Sequence, residues 1–176
     1  MRLGFTKTKI QEIKIAVRVD GGQNIGMSQD FKITVVTGPF SRNIAEIEKT
    51  AEEMDKEIEL IYDSPKMSEE MLDSDLVITG GGTTLYELAA RGTPALGFCP
   101  ADNQYRNTKG VAEVSVLIDI SWGHRWRGEK FYKATNELIN NYLLRAKVSK
   151  VGQELVDGKG SPRCAQEILD LYSSEV

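Results

Sequence analysis

Short apolar runs alternate along this chain with longer segments in which apolar residues recur every three or four positions. The short runs are rich in Val, Ile and Leu, which is typical of strands buried on both faces of a parallel sheet. The longer segments have the period of amphipathic helices. The predicted strands are residues 13–19, 32–37, 58–62, 76–79, 95–98 and 114–120, and the predicted helices between them are residues 41–56, 68–73, 83–91 and 103–112. This alternation predicts an α/β fold with a doubly wound, mainly parallel sheet.

The two ends of the chain depart from this alternation. Only the glycine-rich residues 21–30 separate the first strand from the second. A parallel crossover needs a dozen or more residues and usually a helix, so we expect the first strand to pair differently or to leave the sheet. Residues 129–176 predict terminal helices, including a long one over 129–145, and we expect two or three of them to pack against the sheet. We treat residues 1–176 as one domain, with residues 1–30 as an atypical N-terminal segment.

The short first connection has a second consequence, for the covering of the sheet. Without a helix there, one face of the sheet near residues 32–37 is expected to lack its usual layer. An exposed apolar sheet face is normally covered. The terminal helices, another chain or a separate catalytic half are the candidate covers, and a homodimer is the simplest expectation for the isolated protein.

Composition and charge restrict the classes of partner. The formal net charge of the 176-residue chain is −4, so the chain as a whole gives a nucleic-acid partner no electrostatic support. We see no apolar run of membrane-span length and no apolar signal core near the N-terminus, so we expect a cytoplasmic protein without a membrane span. Cys99 and Cys164 lie far apart in the sequence, which favours two reduced thiols over a disulfide.

The most informative stretch is DLVITGGGTTLYELAARGTPALGF, where a predicted strand runs through three glycines into a helix. Glycines allow a close approach of the backbone to a ligand, and a helix N-terminus favours phosphate. The sequence lacks both the Lys of a Walker loop and the third glycine of the dinucleotide fingerprint. The alternative, that the glycines only permit a tight packed turn, remains open. The candidate phosphate residues are Gly80, Gly81, Gly82, Thr83 and Thr84.

Two further motifs follow in order, ADNQ at residues 101–104 with Asn107, and DGKG at residues 157–160 with Arg163. Together with the glycines they resemble the Rossmann-like C-terminal half of GT-B nucleotide-sugar enzymes. The similarity is to the bacterial N-acetylglucosaminyltransferases that make lipid II. It is closer to the nucleotide-sugar hydrolase of pseudaminic acid biosynthesis and its spore-coat polysaccharide relatives. The resemblance extends from about residue 58 to the C-terminus.

The resemblance implies a role for individual residues. The glycines and threonines at 80–84 match the turn that receives the diphosphate of a UDP-sugar. Glu87 matches the acid that accepts hydrogen bonds from the ribose hydroxyls, although an acid in a first helical turn also favours the helix dipole. Asn103 and Gln104 match residues that touch the sugar or its phosphates, with helix capping as the alternative for Asn103. Gly21 and Gly22 match the glycine turn that opens this half of the enzyme.

The implied function is nucleotide-sugar binding in polysaccharide or glycan biosynthesis, by a transferase or a hydrolase. Because GT-B enzymes place the active site between two halves, we expect a separate N-terminal half to supply catalysis. The catalytic residues are unknown, since His124, the single histidine, lies in no matching motif. No cofactor and no metal site are expected. The alternatives are a non-catalytic, degenerate paralogue that acts as an interaction module, and a stand-alone enzyme with a redesigned site.

Overall fold

The computed structural model describes residues 13–19, 31–39, 41, 44–54, 58–99, 102–113, 117–122 and 128–174, with the backbone alone for 13–19, 113, 117–122 and 128. The strands are β1 Ile13–Val19, β2 Phe31–Thr37, β3 Ile58–Tyr62, β4 Leu76–Gly80, β5 Ala95–Cys99 and β6 Leu117–Trp122. The helices are α1 Ile44–Glu52, α2 Met67–Leu72, α3 Thr84–Arg91, α4 Tyr105–Glu113, α5 Gly128–Asn140, α6 Tyr142–Leu155 and α7 Gly160–Ser174.

The six strands form one sheet in the order β3-β2-β1-β4-β5-β6. Strand β2 runs parallel to β3, and β4, β5 and β6 run parallel to one another. Strand β1 is antiparallel to both of its neighbours, with Ile13 opposite Thr37 and Val19 opposite Phe31. The predicted α/β fold with a mainly parallel sheet is therefore confirmed. The expectation that the first strand pairs differently is confirmed as well, because a short connection suffices for an antiparallel pair.

Two apolar cores lie on opposite faces of this sheet. Residues on one face of β2, β4 and β5 join α5 in the first core, which contains the fully buried Leu76, Leu96 and Leu138. The alternate residues of β4 and β5 join α2, α3 and α4 in the second core. Strand β5 is buried at every residue, as expected for a strand with helices on both faces. Helices on both faces are what the doubly wound pattern predicts.

The apolar residues on one face of β2 are covered by a terminal helix. Ile33 and Val35 belong to the same buried cluster as α5, so a terminal helix contributes to the cover on that face. On the opposite face, Lys32 is exposed, the Thr34 hydroxyl donates to the Glu59 carboxylate at 3.2 Å, and the apolar Val36 is buried. The terminal-helix alternative is thus confirmed. The homodimer loses its structural reason and stays a prediction.

The terminal helices divide differently from the prediction. The long helix predicted over residues 129–145 is wrong, because α5 ends at Asn140 and α6 begins at Tyr142. The Asn141 side chain caps α6 by accepting from the Leu144 N–H at 3.0 Å. The buried Arg145 donates to the carbonyls of Leu138 and Ile139, at 2.7 and 2.8 Å, where α5 ends. A cation at that position also favours the helix dipole.

Helices α5 and α6 contribute differently to the cores on the sheet: α5 supplies buried residues to the first core, and α6 packs against both cores through the partly buried Leu144 and Val151. Helix α6 packs against α3: a Cβ on Gly152 would lie 3.0 Å from the Ala89 carbonyl oxygen, and the Gln153 amide donates to the Arg91 carbonyl at 3.3 Å. Helix α7 buries no residue, and Tyr172 is 72% exposed. The expectation that two or three terminal helices pack against the sheet is therefore confirmed for α5 and for the core contacts of α6, and it is wrong for α7.

An exposed ion pair closes the turn between α6 and α7. Arg163 donates to the Asp157 carboxylate at 2.6 Å, and the Lys159 N–H donates to its other oxygen at 3.0 Å. These two hydrogen bonds, the one from Arg163 above all, lower the pKa of Asp157 from 3.8 to about 2. Residues of the predicted DGKG motif therefore stabilise a turn of this chain.

We predict that Gly92→Ala destabilises the protein more than Gly158→Ala. Both glycines have a left-handed backbone, with φ of 75° and 71°, so each substitution introduces strain of about 1 kcal/mol. A Cβ on Gly158 meets nothing within 4 Å, whereas one on Gly92 would lie 2.7 Å from the Ser149 hydroxyl. The Ser149 and Gln153 side chains would have to turn away, and losing the hydrogen bond from Gln153 to the Arg91 carbonyl adds about 0.5–1.5 kcal/mol. Urea denaturation measures both free energies of unfolding, and equal losses would contradict the packing of α6 on α3.

We also predict that Arg163→Gln raises the pKa of Asp157 towards its ordinary value. The lowered pKa means that the ion pair stabilises the turn above about pH 4 and that this contribution disappears as the pH falls through about 2. An NMR titration of the carboxyl carbon measures the pKa. The control is Lys150→Gln, which removes a different exposed ion pair, with Glu154. An Asp157 that titrates alike in wild type and Arg163→Gln would contradict the pairing.

Candidate functional site

The glycine loop, defined as Gly80, Gly81, Gly82, Thr83 and Thr84, connects β4 to α3. Gly80 ends the strand, and Thr84 begins the helix. The loop therefore lies at the carboxyl end of a parallel strand, where open α/β sheets usually bind their ligands. Gly81 is buried, while Thr83 is exposed. The prediction of a strand, a glycine turn and a helix is confirmed at this point.

The loop leaves backbone donors available at the N-terminus of α3. Thr83 has a helical backbone, and its hydroxyl makes no capping hydrogen bond. The N–H groups of residues 85–87 donate to the carbonyls of Gly82 and Thr83. The N–H groups of Gly82, Thr83 and Thr84 have no partner among the described residues. Adjacent free N–H groups at the positive end of a helix suit a phosphate.

Glu87 lies at the same end of α3. Its N–H donates to the Thr83 carbonyl, and its exposed carboxylate has no hydrogen-bond or ion-pair partner in the part of the chain that the structure describes. A free carboxylate accepts hydrogen bonds only, which suits a ligand that offers hydroxyl donors. The position is also favourable in itself, because an acid near a helix N-terminus interacts well with the dipole.

The segment after β5 brings a side-chain amide to the glycine loop. Asp102 to Gln104 form a short 3-10 turn that leads into α4. The Nε2 atom of Gln104 lies 4.0 Å from the point that a Cβ on Gly82 would occupy. The Oε1 atom of Gln104 is buried and has no hydrogen-bond partner among the described residues. Buried polar atoms are normally paired, so this oxygen has an unused acceptor beside the loop.

The structure thus brings together some of the predicted site residues and leaves others apart. The glycine loop, Glu87 and Gln104 share one end of the sheet. Asn103 lies on the same turn as Gln104 and is exposed. The capping alternative for Asn103 finds no hydrogen bond in the described structure. Gly21, Gly22 and His124 lie outside the described residues.

Two residues of α4 complete the surroundings of the loop. Tyr86 of α3 donates a long hydrogen bond of 3.5 Å to the Asn107 side chain. The Thr108 hydroxyl donates to the Gln104 carbonyl at 3.0 Å, and a Cβ on Gly81 would lie only 1.9 Å from that hydroxyl oxygen. The sequence interpretation included Asn107 in its motif but missed Thr108. The available signal was the spacing of four residues from Gln104 on one helix face.

Other kinds of site find no support in the described structure. Within the described ranges, no three His, Cys, Asp or Glu side chains are grouped so that they would hold a metal ion. None of the described helices is long and apolar enough to cross a membrane. Asp157 and Arg163 pair with each other in the turn after α6.

Comparison with solved structures supports the fold. The crystal structure of MurG from Acinetobacter baumannii superposes with a TM-score of 0.63 at 17% identity, over 79% of this chain and 40% of that one. The glycosyltransferase WaaG, involved in lipopolysaccharide biosynthesis, superposes with a TM-score of 0.59 at 18% identity, over 70% and 33% of the two chains. At these identities the similarity shows a shared Rossmann-like fold of the GT-B type.

Sequence comparison identifies the family. The spore coat polysaccharide biosynthesis protein SpsG of Bacillus subtilis (strain 168) is 30% identical over 117 residues, 66% of this chain. A UDP-N-acetylglucosamine–N-acetylmuramyl-(pentapeptide) pyrophosphoryl-undecaprenol N-acetylglucosamine transferase of Sulfurovum sp. (strain NBC37-1) is 31% identical over 147 residues, 80% of this chain. The matches cover 34% and 41% of those two proteins. The family model of the glycosyltransferase family 28 C-terminal domain matches residues 8–157, and the chain therefore belongs to that family.

Proposed function

We propose that this chain binds a UDP-sugar at the glycine loop and serves as the nucleotide-sugar-binding half of a GT-B glycosyltransferase. Two neighbouring features carry the proposal, the N–H groups at the start of α3 and the amide oxygen of Gln104, none of which has a hydrogen-bond partner among the described residues. The first feature suits a diphosphate, and the second suits a hydroxyl or N–H group of a neighbouring sugar or nucleoside. Both lie at the carboxyl ends of adjacent parallel strands.

Each part of the ligand has a proposed partner. The diphosphate accepts hydrogen bonds from the glycine loop, with Thr83 as an exposed hydroxyl beside it. The ribose hydroxyls donate to Glu87, and the sugar meets Asn103 and Gln104. Gly21 and Gly22 follow β1, which is antiparallel to β4 and ends at the edge of the sheet opposite the glycine loop, so we propose no phosphate contact for them. We propose no cofactor and no metal ion, because backbone N–H groups and the helix dipole supply the positive potential.

The names of the relatives support the class of ligand and pathway. One relative is named as a transferase of N-acetylglucosamine from its UDP derivative, and the other as a protein of polysaccharide biosynthesis. We therefore propose a UDP-N-acetylhexosamine as ligand and glycan or polysaccharide synthesis as the setting. Transfer is preferred over hydrolysis because a transferase is named among the relatives. A cytoplasmic location is the setting in which such nucleotide sugars would be used.

We further propose that an N-terminal GT-B half supplies catalysis. The family is that of a C-terminal domain, and the chain spans about a third to two fifths of the relatives that it matches. The side chains assigned to the ligand are amides, hydroxyls and the Glu87 carboxylate, which suit binding. Exposed apolar side chains on α7, including Ile168 and Tyr172, indicate that a partner surface is available.

The second candidate is a non-catalytic interaction module, and the exposed apolar residues of α7 favour it equally. Nucleotide binding separates the two proposals. Isothermal titration of the full chain with UDP and with UDP-N-acetylglucosamine should show binding for the first. No heat of binding at millimolar ligand would contradict it and favour the interaction module.

We predict that Glu87→Gln weakens UDP binding by about 1–3 kcal/mol, the range for a hydrogen bond to a charged acceptor. The thermal midpoint should hardly change, because the side chain is exposed and unpaired among the described residues. Glu129→Gln is the matched control: Glu129 is also an exposed acid in a first helical turn, at the start of α5. If both variants bind UDP like wild type, Glu87 has no contact with the ribose.

A further inference from the structure

Gly81 is crowded by α4, in contrast to its neighbour Gly82. A Cβ on Gly81 would lie 1.9 Å from the Thr108 hydroxyl oxygen, 3.2 Å from the Thr108 Cβ and 3.3 Å from the Gln104 carbonyl oxygen. A Cβ on Gly82 would meet a single atom, the Gln104 Nε2 at 4.0 Å, which is an ordinary contact. Packing within the protein therefore excludes a side chain at position 81, whereas it leaves room for one at position 82.

Backbone conformation does not explain the glycine at position 81. Among the described glycines, positive φ occurs at Gly92 and Gly158. The remaining reason is space, because Thr108 fills the volume that a side chain would need. Thr108 is 2% exposed, and its hydroxyl also holds the Gln104 carbonyl at 3.0 Å. One side chain thus contacts both segments of the candidate site.

We propose that Thr108 is a positioning residue, which holds the glycine loop and the Gln104 amide side by side so that both face the UDP-sugar. This inference rests on the proposed function. Gly81 is glycine to admit Thr108, and the contacts to the diphosphate fall to the N–H groups of Gly82, Thr83 and Thr84. The Thr108 hydroxyl fixes the 3-10 turn through the Gln104 backbone, so it acts on the ligand through Gln104.

The proposal predicts that Thr108→Ala relieves the damage of Gly81→Ala. Gly81→Ala should weaken UDP binding more than about tenfold and lower the melting temperature, because the loop must move away from α4. The double variant removes the hydroxyl that would lie closest to the new Cβ. It should recover at least half of the loss in melting temperature and bind UDP about twofold more tightly than Gly81→Ala alone, because loss of the Thr108 hydroxyl itself weakens binding.

Gly82→Ala is the matched control for the loop. Its Cβ has room within the protein, so the melting temperature should stay unchanged while UDP binding weakens through contact with the diphosphate. Thr108→Ala should give no recovery of that loss. Recovery of both glycine variants, or of neither, would overturn the division of roles between Gly81 and Gly82.

Two further variants distinguish the effect of the Thr108 hydroxyl on UDP affinity from the effect of the shape of its side chain. Thr108→Val keeps the shape and loses the bond to the Gln104 carbonyl, so UDP affinity should fall about fivefold with the fold retained. Thr108→Ser keeps the bond and should keep wild-type affinity. Equal affinity in Thr108→Val and wild type would overturn the positioning role, because packing alone would then explain the residue.

Failure of the proposed function gives a different result. If the wild-type chain binds neither UDP nor UDP-N-acetylglucosamine, the ligand and the positioning role are both rejected. The melting temperatures of Gly81→Ala, Thr108→Ala and the double variant still report whether Thr108 and Gly81 are coupled. No coupling in those temperatures would reject the packing on which the inference is built.

Discussion

Helix α3 is held at both ends by close contacts with other helices, and these contacts are possible because glycines there have no side chain. The candidate site depends on both contacts. At its N-terminal end, Gly81 admits Thr108 of α4. At its C-terminal end, Gly92 and Gly152 bring α6 against the helix, and the Gln153 amide donates to the Arg91 carbonyl. Close-packed contacts transmit displacement, so a shift at either end would move the free N–H groups of the glycine loop. The apolar side of α3 adds Leu85 and Leu88 to the core beneath.

The reversed strand β1 leaves this arrangement intact. It lies in the centre of the sheet and is antiparallel to β2 and β4, yet β4, β5 and β6 keep their parallel order. The glycine loop follows β4 and the turn of Gln104 follows β5, so the site is built on the parallel half. A change in how the chain enters the sheet is therefore compatible with a preserved binding site on the other side of it.

Periodicity predicted much of the fold because each strand carries its own signal. The strands at 13–19 and 58–62 agree with the structure at both ends, and β4 and β5 differ by a residue at one end. The break at Asn141 was missed, since a polar residue between two amphipathic helices does not interrupt the apolar spacing. The hydrogen bond from the Leu144 N–H to the Asn141 side chain forms only in the folded turn between α5 and α6, so the apolar spacing does not reveal it. Periodicity was sufficient where the residues of a single segment determine its secondary structure.

The site was predicted less completely, for a related reason. The glycine loop has a local signature, and Gln104 was indicated by the resemblance, but their proximity arises from the parallel pairing of β4 with β5. Thr108 was missed because its partner Gly81 lies on another element, and a glycine does not reveal in sequence what fills its missing side chain. The two explanations of the glycines first considered, ligand approach and tight packing, apply to different residues of one loop: packing explains Gly81, and room for a ligand remains at Gly82.

The chemistry of the described site bears on how the proposed enzyme would be divided. In the proposed complex, the Gln104 amide and the Glu87 carboxylate would hold the sugar and the ribose alike before and during transfer, and such uniform binding does not accelerate the reaction. The N–H groups of the glycine loop would differ, because the diphosphate is the leaving group and gains negative charge as its bond to the sugar carbon breaks. The acceptor, and the base that takes its proton, would have to come from the side of the ligand facing away from the glycine loop. A second half opposite the loop would supply them, and the fixed position of α3 would then set where the reacting carbon meets that half.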